Sequence, residues 1–282
     1  MKIAGVVILY KPPLEVLKNI STYKKEVEKL YIVDNSVHKS KEIIKEFEKA
    51  NDFLYLNDKE NWGIAKRLNQ VIQLAIEENF DWLLTMDQDS NFDKNGLAFY
   101  LNCCHGFNGR DNVSMFGVNF SERVEKTINC SFKAVHHLIT SGSLLNLNLF
   151  PEIGNFDENL FIDEVDFEYC LRSISKGFQV VQFENIYLNH NLGQTSILRS
   201  FKTNKKSQRV LHSAERLYYM TRNFFYVRSL YKTKFPEEIQ ERKAVLLNRI
   251  KNNLFYNKRK VRTLRLIIKG YFDYRKRRMG KL

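Results

Sequence analysis

The stretch that most constrains this chain is Asp81-Trp82-Leu83-Leu84-Thr85-Met86-Asp87-Gln88-Asp89-Ser90. An apolar run of strand length, 82–86, stops abruptly in two carboxylates two residues apart. Such a run bounded by charge suits a strand buried on both faces, as in a parallel sheet. The carboxyl ends of these strands form the edge where open α/β sheets bind ligands. If the strand continued, alternation would put Asp87 and Asp89 on one side, with Gln88 pointing away. Close like charges are costly unless a positive group lies between them. A divalent cation carrying diphosphate oxygens is such a group. Asp and Ser are also ordinary turn residues, so the rest of the chain must decide.

Residues 3–10 read as a buried strand, ended by Lys11-Pro12-Pro13 because proline gives a ladder no donor. The pattern predicts a helix over 14–28, a strand over 30–33 ending in Asp34-Asn35-Ser36, a helix over 39–49 and a strand over 53–56. Asn61 is placed to cap a long helix through Ile64, Leu68, Val71, Ile72 and Ala75. The strand 82–86 follows. This alternation is a doubly wound α/β pattern. It brings three strand ends to one edge: Tyr10-Lys11, Asp34-Asn35 and Asp87-Gln88-Asp89. Farther on come a helix, a strand over 113–118, and one or two strands within 129–146, broken by Ser141-Gly142-Ser143. The stretch from Asn155 opens as a loop and continues as a helix to Lys176, closed by Gly177, and strands are expected over 178–183 and 186–190. From residue 207 the pattern is helical: one helix to about 230, a second from Pro236, a third from about 258. The expected division is a catalytic domain over 1–205 and a basic helical region over 206–282.

Four cysteines, of which only Cys103 and Cys104 are adjacent, form neither a metal spacing nor a disulfide framework, and fit a reducing cytoplasm. The apolar N-terminus runs straight into prolines and reads as a strand rather than a signal peptide. No apolar run approaches the ~20 residues that span a bilayer. Net charge is +13, with the cations crowded beyond Lys202. Such asymmetry points to an anionic partner, nucleic acid or membrane. No helix-turn-helix, zinc-finger or RNA-recognition signature is present, which argues against nucleic acid. Cations beside leucine, isoleucine and aromatics from Arg262 to Phe272 suit a helix at an anionic interface. A helix covering the core, or a homodimer contact, would carry the same pattern.

Several motifs occur in order: Val-Val-Ile-Leu-Tyr-Lys-Pro ending at Pro12, Ile32-Val33-Asp34-Asn35-Ser36, Asn61-Trp62-Gly63-Ile64-Ala65-Lys66, and Thr85-Met86-Asp87-Gln88-Asp89-Ser90. Farther along come Phe161-Ile162-Asp163, Val165-Asp166, Glu168-Tyr169-Cys170-Leu171-Arg172, and Arg216-Leu217-Tyr218-Tyr219 with Arg222-Asn223. Together they resemble glycosyltransferase family 2, and its bacterial rhamnosyltransferases in particular. The resemblance implies a GT-A (Rossmann-like) fold and an inverting transfer. The implied donor is dTDP-L-rhamnose or, alternatively, a UDP-sugar. It also implies Mg²⁺ or Mn²⁺, a glycan or lipid-linked glycan acceptor, and work at the inner face of the cell membrane. A catalytically dead scaffold is a further reading, against which Asp89 and Asp166 stand.

Sugar transfer leaves negative charge on the departing diphosphate, which a metal stabilises without a proton. Asp89 is the expected ligand, with His190 as a second. Asp87 is expected at the ribose or a metal-bound water. The resemblance gives Asp34 to the imide N–H of the base, with an Asx turn as its local alternative. Tyr10 and Pro12 flank the base, and Lys66 or Arg67 approaches the diphosphate. Inversion needs a base for the acceptor hydroxyl. The broader family has Glu-Asp before its helix. Here Val165-Asp166 matches that pair, and Asp163-Glu164 lies just upstream, so Asp166 is favoured over Asp163. If the helix has begun by Asp163, the two acids share a face. Ser141-Gly142-Ser143 is either a site where a sugar approaches the backbone or a tight turn.

Overall fold

The computed structural model describes all residues except 39–40, 48–52, 121–128, 191–194 and 200–205. It divides into two compact units. The first comprises Met1–Glu158 and Val165–His190, the second Asn159–Glu164 and Asn191–Leu282. The boundary expected at 205/206 falls inside the second unit.

The first unit is built on β1 (Ile3–Leu9), β2 (Lys29–Asp34), β3 (Phe53–Leu56) and β4 (Trp82–Asp87). Between them run α1 (Val16–Ser21), α2 (Lys41–Phe47) and α3 (Gly63–Glu77). β1 pairs in parallel with both β2 and β4, and β2 with β3. Leu9 lies opposite Asp34 and Ile8 opposite Asp87, so the two acids end the strands on either side of β1 at the same edge. The interior residues of β1, β2 and β4 are almost all buried, which is why these segments are near-continuously apolar. α3 lays Leu68, Val71, Ile72 and Ala75 inward at helical spacing.

The unit continues through β5 (Ser90–Phe92), α4 (Gly96–His105), β6 (Val113–Asn119), β7 (Phe132–Ala134), β8 (Ser143–Asn146), α5 (Phe150–Ile153), α6 (Val165–Ser175) and β9 (Gln179–His190). The sheet order is β3-β2-β1-β4-β8-β6-β9-β5, with β7 added on β9. β8 is antiparallel to β4, so β4 is where the all-parallel half gives way.

Four details depart from the sequence reading. The expected strands 178–183 and 186–190 are one strand, β9. The 14–28 helix is shorter, α1 being followed by a separate 3-10 turn at Lys24–Glu26. β5 had no counterpart in the sequence pattern. Cys103 and Cys130 form a disulfide with Cα atoms 5.7 Å apart, where no bridge was expected, while Cys104 and Cys170 are free and buried.

The second unit holds a hairpin of β10 (Thr195–Arg199) and β11 (Lys206–Val210), then α7 (Ala214–Tyr231), α8 (Pro236–Tyr256) and α9 (Lys260–Arg275). The helical expectation from 207 is therefore corrected: residues up to Val210 form a strand, and α7 opens on Ser213, whose Oγ accepts from the Arg216 N–H at 3.1 Å. The segment Asn159–Glu164 has a left-handed backbone at Phe161, Asp163 and Glu164, with φ of 50°, 64° and 67°. Side chains rarely accept this conformation. The fully buried Asn223 holds it there. Its amide donates to the carbonyls of Leu160, Ile162 and Asp163 at 2.6, 2.7 and 3.0 Å. Arg222, also buried, donates to the carbonyls of Asn159 and Gly280. Among the described residues no helix is long and apolar enough to cross a membrane.

Candidate active site

At the carboxyl edge, β1 and β4 are fastened by one side chain. Gln88 accepts the Tyr10 N–H at 2.9 Å and donates to the Tyr10 carbonyl at 3.3 Å. Asn19 donates to the Gln88 carbonyl at 2.8 Å. Beneath the acids, the buried Ser141 Oγ accepts from the Asp87 N–H at 3.1 Å and donates to Ser90 Oγ at 2.8 Å. Ser141-Gly142-Ser143 is thus a tight turn, with Gly142 at φ +71°, that supports the acidic corner from below. Burial, and after it the charge of Asp87, push the Tyr23 phenol up.

Asp87 is the last residue of β4, but Asp89 is not on the strand. Gln88 and Asp89 form a turn into β5, so strand alternation does not set their directions. Both acids are half-buried. The backbone of His190 lies opposite Ser90 in the β5–β9 ladder, one residue from Asp89. Its side chain and residues 191–194 lie outside the described residues. Among the described residues no group of three or more His, Cys, Asp or Glu side chains gathers around a metal position. Two carboxylates at a sheet edge nonetheless fit Mg²⁺ or Mn²⁺, which take one or two protein carboxylates and draw the remaining oxygens from substrate phosphates and water.

Asp34 is fully buried, and its carboxylate already accepts two hydrogen bonds. One comes from the Ser36 N–H at 2.9 Å, the Asx turn, and one from the Tyr55 hydroxyl at 2.6 Å. Tyr10 and Trp62 are exposed, and Pro12 is half-exposed. Lys66 is exposed, with its ammonium 3.7 Å from the centre of the Trp62 ring. Its neighbour Arg67 is different. Arg67 is 2% exposed, and its guanidinium donates to Asn35 Oδ1 at 2.7 Å, to the Glu60 carbonyl at 2.9 Å, to Gln70 and to both oxygens of Asp58. That pairing holds the Asp58 carboxyl below the usual range. Arg67 is therefore an anchor for residues 58–60 rather than a diphosphate ligand. Asn61 does not cap α3 in the expected way; its Oδ1 accepts from the Gly63 N–H at 3.0 Å, and Trp62 occupies the cap position.

The two candidate bases part company. Asp166 stands in the first turn of α6, where its Oδ1 accepts the Phe167 N–H at 2.9 Å. Asp163 precedes the helix, in the left-handed segment of the second unit, and is paired to Arg216 at 3.0 Å. They do not share a helix face. Glu164 is paired to Arg242 at 2.9 Å. Glu168 is buried against Arg172, which also donates to the carbonyls of Ile153 and Asn155. From the sequence, Gln88, Asn35 and Tyr55 have no assigned role, and Ser141 has one only as part of a sugar-approach site or a tight turn. Gln88 carries a signal through its place between the two acids, and Asn35 through its place beside Asp34.

Residues 14–98 match the model of glycosyl transferase family 2, a span that contains Asp34, Lys66, Asp87 and Asp89. The dTDP-rhamnosyl transferase RfbF of Shigella flexneri is 29% identical over 244 residues, covering 79% of this chain and 78% of that protein. The crystal structure of S. aureus TarS superposes with a TM-score of 0.59 at 14% identity over 97% of this chain, which spans 48% of the TarS chain. TarS 1–349 in complex with UDP-GlcNAc gives 0.56 at 12% identity, covering 97% of this chain and 80% of that one. The sheet, its acidic edge and these matches define a glycosyltransferase of GT-A fold. Within that class the chain is similar to glycosyltransferase family 2, in its rhamnosyltransferase-like group.

Replacing Arg67 by Met should cost about 1–3 kcal/mol, because the buried Asn35 oxygen loses its charged donor while half-exposed Asp58 can turn to water. Urea denaturation measures it. A cost near zero would mean that the guanidinium contributes little to the loop.

Proposed function

We propose that this enzyme is an inverting, divalent-metal-dependent transferase that moves L-rhamnose from dTDP-L-rhamnose to a growing, lipid-linked surface glycan. The observation that carries the reading is the 29% identity to a dTDP-rhamnosyl transferase over 79% of the chain. The paired acids at the β1–β4 edge support it. A UDP-sugar is the second donor reading, favoured by the UDP-GlcNAc complex of TarS 1–349.

In this reading the base stacks beside Tyr10 and Pro12. Asp34 has acceptor capacity beyond the Ser36 N–H and the Tyr55 hydroxyl, since a carboxylate offers about four acceptor sites. An imide N–H joins or displaces the Tyr55 hydroxyl. Asp87 meets the ribose, and Lys66 leaves the Trp62 ring for the diphosphate. Asp89, with His190 as the second expected ligand, would hold the metal, which would supply charge stabilisation to the leaving diphosphate. The clasp of Gln88 and the support of Ser141 fix the acidic turn before substrate arrives, so little reorganisation accompanies transfer. Asp166 takes the proton of the acceptor hydroxyl.

The donor is tested with a panel of dTDP- and UDP-sugars, with Mn²⁺ and with EDTA. Asp89→Ala should abolish transfer and the metal-dependent part of nucleotide binding. Unchanged turnover in EDTA would remove the metal from the mechanism, and turnover with UDP-sugars alone would shift the donor.

The base is tested separately. General-base help is typically worth ~10²–10⁴ in rate, so Asp166→Asn should lower kcat by that order with donor affinity nearly unchanged. Asp163→Asn should lower it less. If Asp163→Asn is the dead enzyme, the roles are reversed.

The enzyme is also proposed to work in the cytoplasm, peripheral to the inner face of the membrane. α9 exposes Val261, Leu264, Ile268 and Phe272 on one stripe among cations, as an interfacial helix does. Ile268→Asp with Phe272→Asp should weaken sedimentation with phosphatidylglycerol vesicles at low salt. Wild-type protein that ignores such vesicles would turn the stripe into a packing or dimer surface.

A further inference from the structure

β5 is short, yet both of its polar side chains are engaged. Alternation along a strand sends neighbouring side chains to opposite faces. Ser90 is fully buried and meets Ser141 on one face. Asn91 lies on the other, in the middle of a row of side-chain amides. Asn189 of β9 donates from Nδ2 to Asn91 Oδ1 at 3.1 Å. Asn91 Nδ2 donates to Asn19 Oδ1, in α1, at 3.0 Å. Asn19 Nδ2 donates to the Gln88 carbonyl at 2.8 Å.

Both ends of the row fix its direction. The Gln88 carbonyl can only accept. At the far end the Asn189 amide also donates to Asp93 Oδ1 at 2.9 Å, and a carboxylate accepts. Each amide therefore presents its nitrogen toward Gln88. Hydrogen bonds aligned in this way polarise and strengthen one another. The row ends on the peptide that joins Gln88 to Asp89. A peptide unit is planar, so a bond on its carbonyl sets the plane from which Asp89 departs. The row begins on the residue before His190. Thr22 backs it from α1: its Oγ1 accepts the Phe92 N–H at 3.2 Å and donates to the Asn19 carbonyl at 2.7 Å. All of these residues belong to the first unit.

We infer that Asn19, Asn91 and Asn189 are positioning residues for the metal. They set the turn that carries Asp89 against the strand that carries His190 before the ion arrives, and Asn91 couples the two ends. The inference rests on the reading of this edge as a divalent-metal site. Removing an outer partner of a metal ligand typically costs about 10–100-fold in metal affinity.

The test reads metal binding directly. Mn²⁺ is titrated into the full chain with dTDP or UDP, whichever the wild type binds. The electron paramagnetic resonance signal of the free ion gives the affinity, with nucleotide alone as the blank. Asn91→Ala and Asn19→Ala should each weaken Mn²⁺ about tenfold or more. Nucleotide affinity in EDTA should be unchanged, which a general loosening of the fold would not allow. One break already severs the row, so the double variant should bind about as weakly as the weaker single variant. Asn189→Ala, at the exposed end, should also weaken Mn²⁺, and it carries the test if Asn91→Ala does not fold. A wild type that binds no Mn²⁺ with either nucleotide removes the metal reading and the inference with it. A wild type that binds Mn²⁺, with single variants that match it or a double variant whose losses multiply, overturns the inference alone.

Discussion

A strand covered on both faces can offer polar groups to a ligand only where it ends. That constraint organises the first unit. β1, β2 and β4 are closed to water along their length, so everything able to meet a ligand is pushed to their carboxyl ends. Parallel pairing then lines those ends up. Asp34 and Asp87 arrive on either side of β1 because the register of two ladders leaves them nowhere else to go. The chemistry of the edge therefore follows from the burial of the strands beneath it.

The same constraint explains what could be read from the sequence. The apolar runs of β1, β2 and β4 stand out because both-face burial makes them continuous, and the acids closing two of them stand out by contrast. β3, half-buried along its length, stands out only as four apolar residues in a row. α3 is legible for a related reason, its inner face repeating at helical spacing. Where burial is one-sided or absent, the signal fades. β5 is three residues long, too short for a period. β11, Lys-Ser-Gln-Arg-Val, is polar up to its last residue and runs directly ahead of long helices, so it merged with them in the sequence pattern.

The supporting shell of the site was harder to read, because its hydrogen bonds join residues far apart in the chain. Arg67 and Lys66 are adjacent cations on one helix, indistinguishable by composition. One is locked to Asn35 across 32 residues, and the other rests on an exposed ring. Gln88 reaches Tyr10 across 78 residues and Ser141 reaches Asp87 across 54. Asp89 left its strand because the chain turns at once into β5, a choice made by pairing with β9 rather than by local preference. Pairings of this kind are properties of the sheet, and no window of sequence contains them.

The Asn159–Glu164 segment belongs to the second unit, although the chain on either side of it belongs to the first. Its left-handed backbone is held by Asn223, which lies 60 residues after Asp163. On a ribosome adding about 5–20 residues per second, the segment waits roughly 3–12 s for that amide to be made. During synthesis the first unit must therefore be completed around a loop whose shape is not yet fixed. The second unit, when it emerges, closes on a stretch of chain delivered long before it.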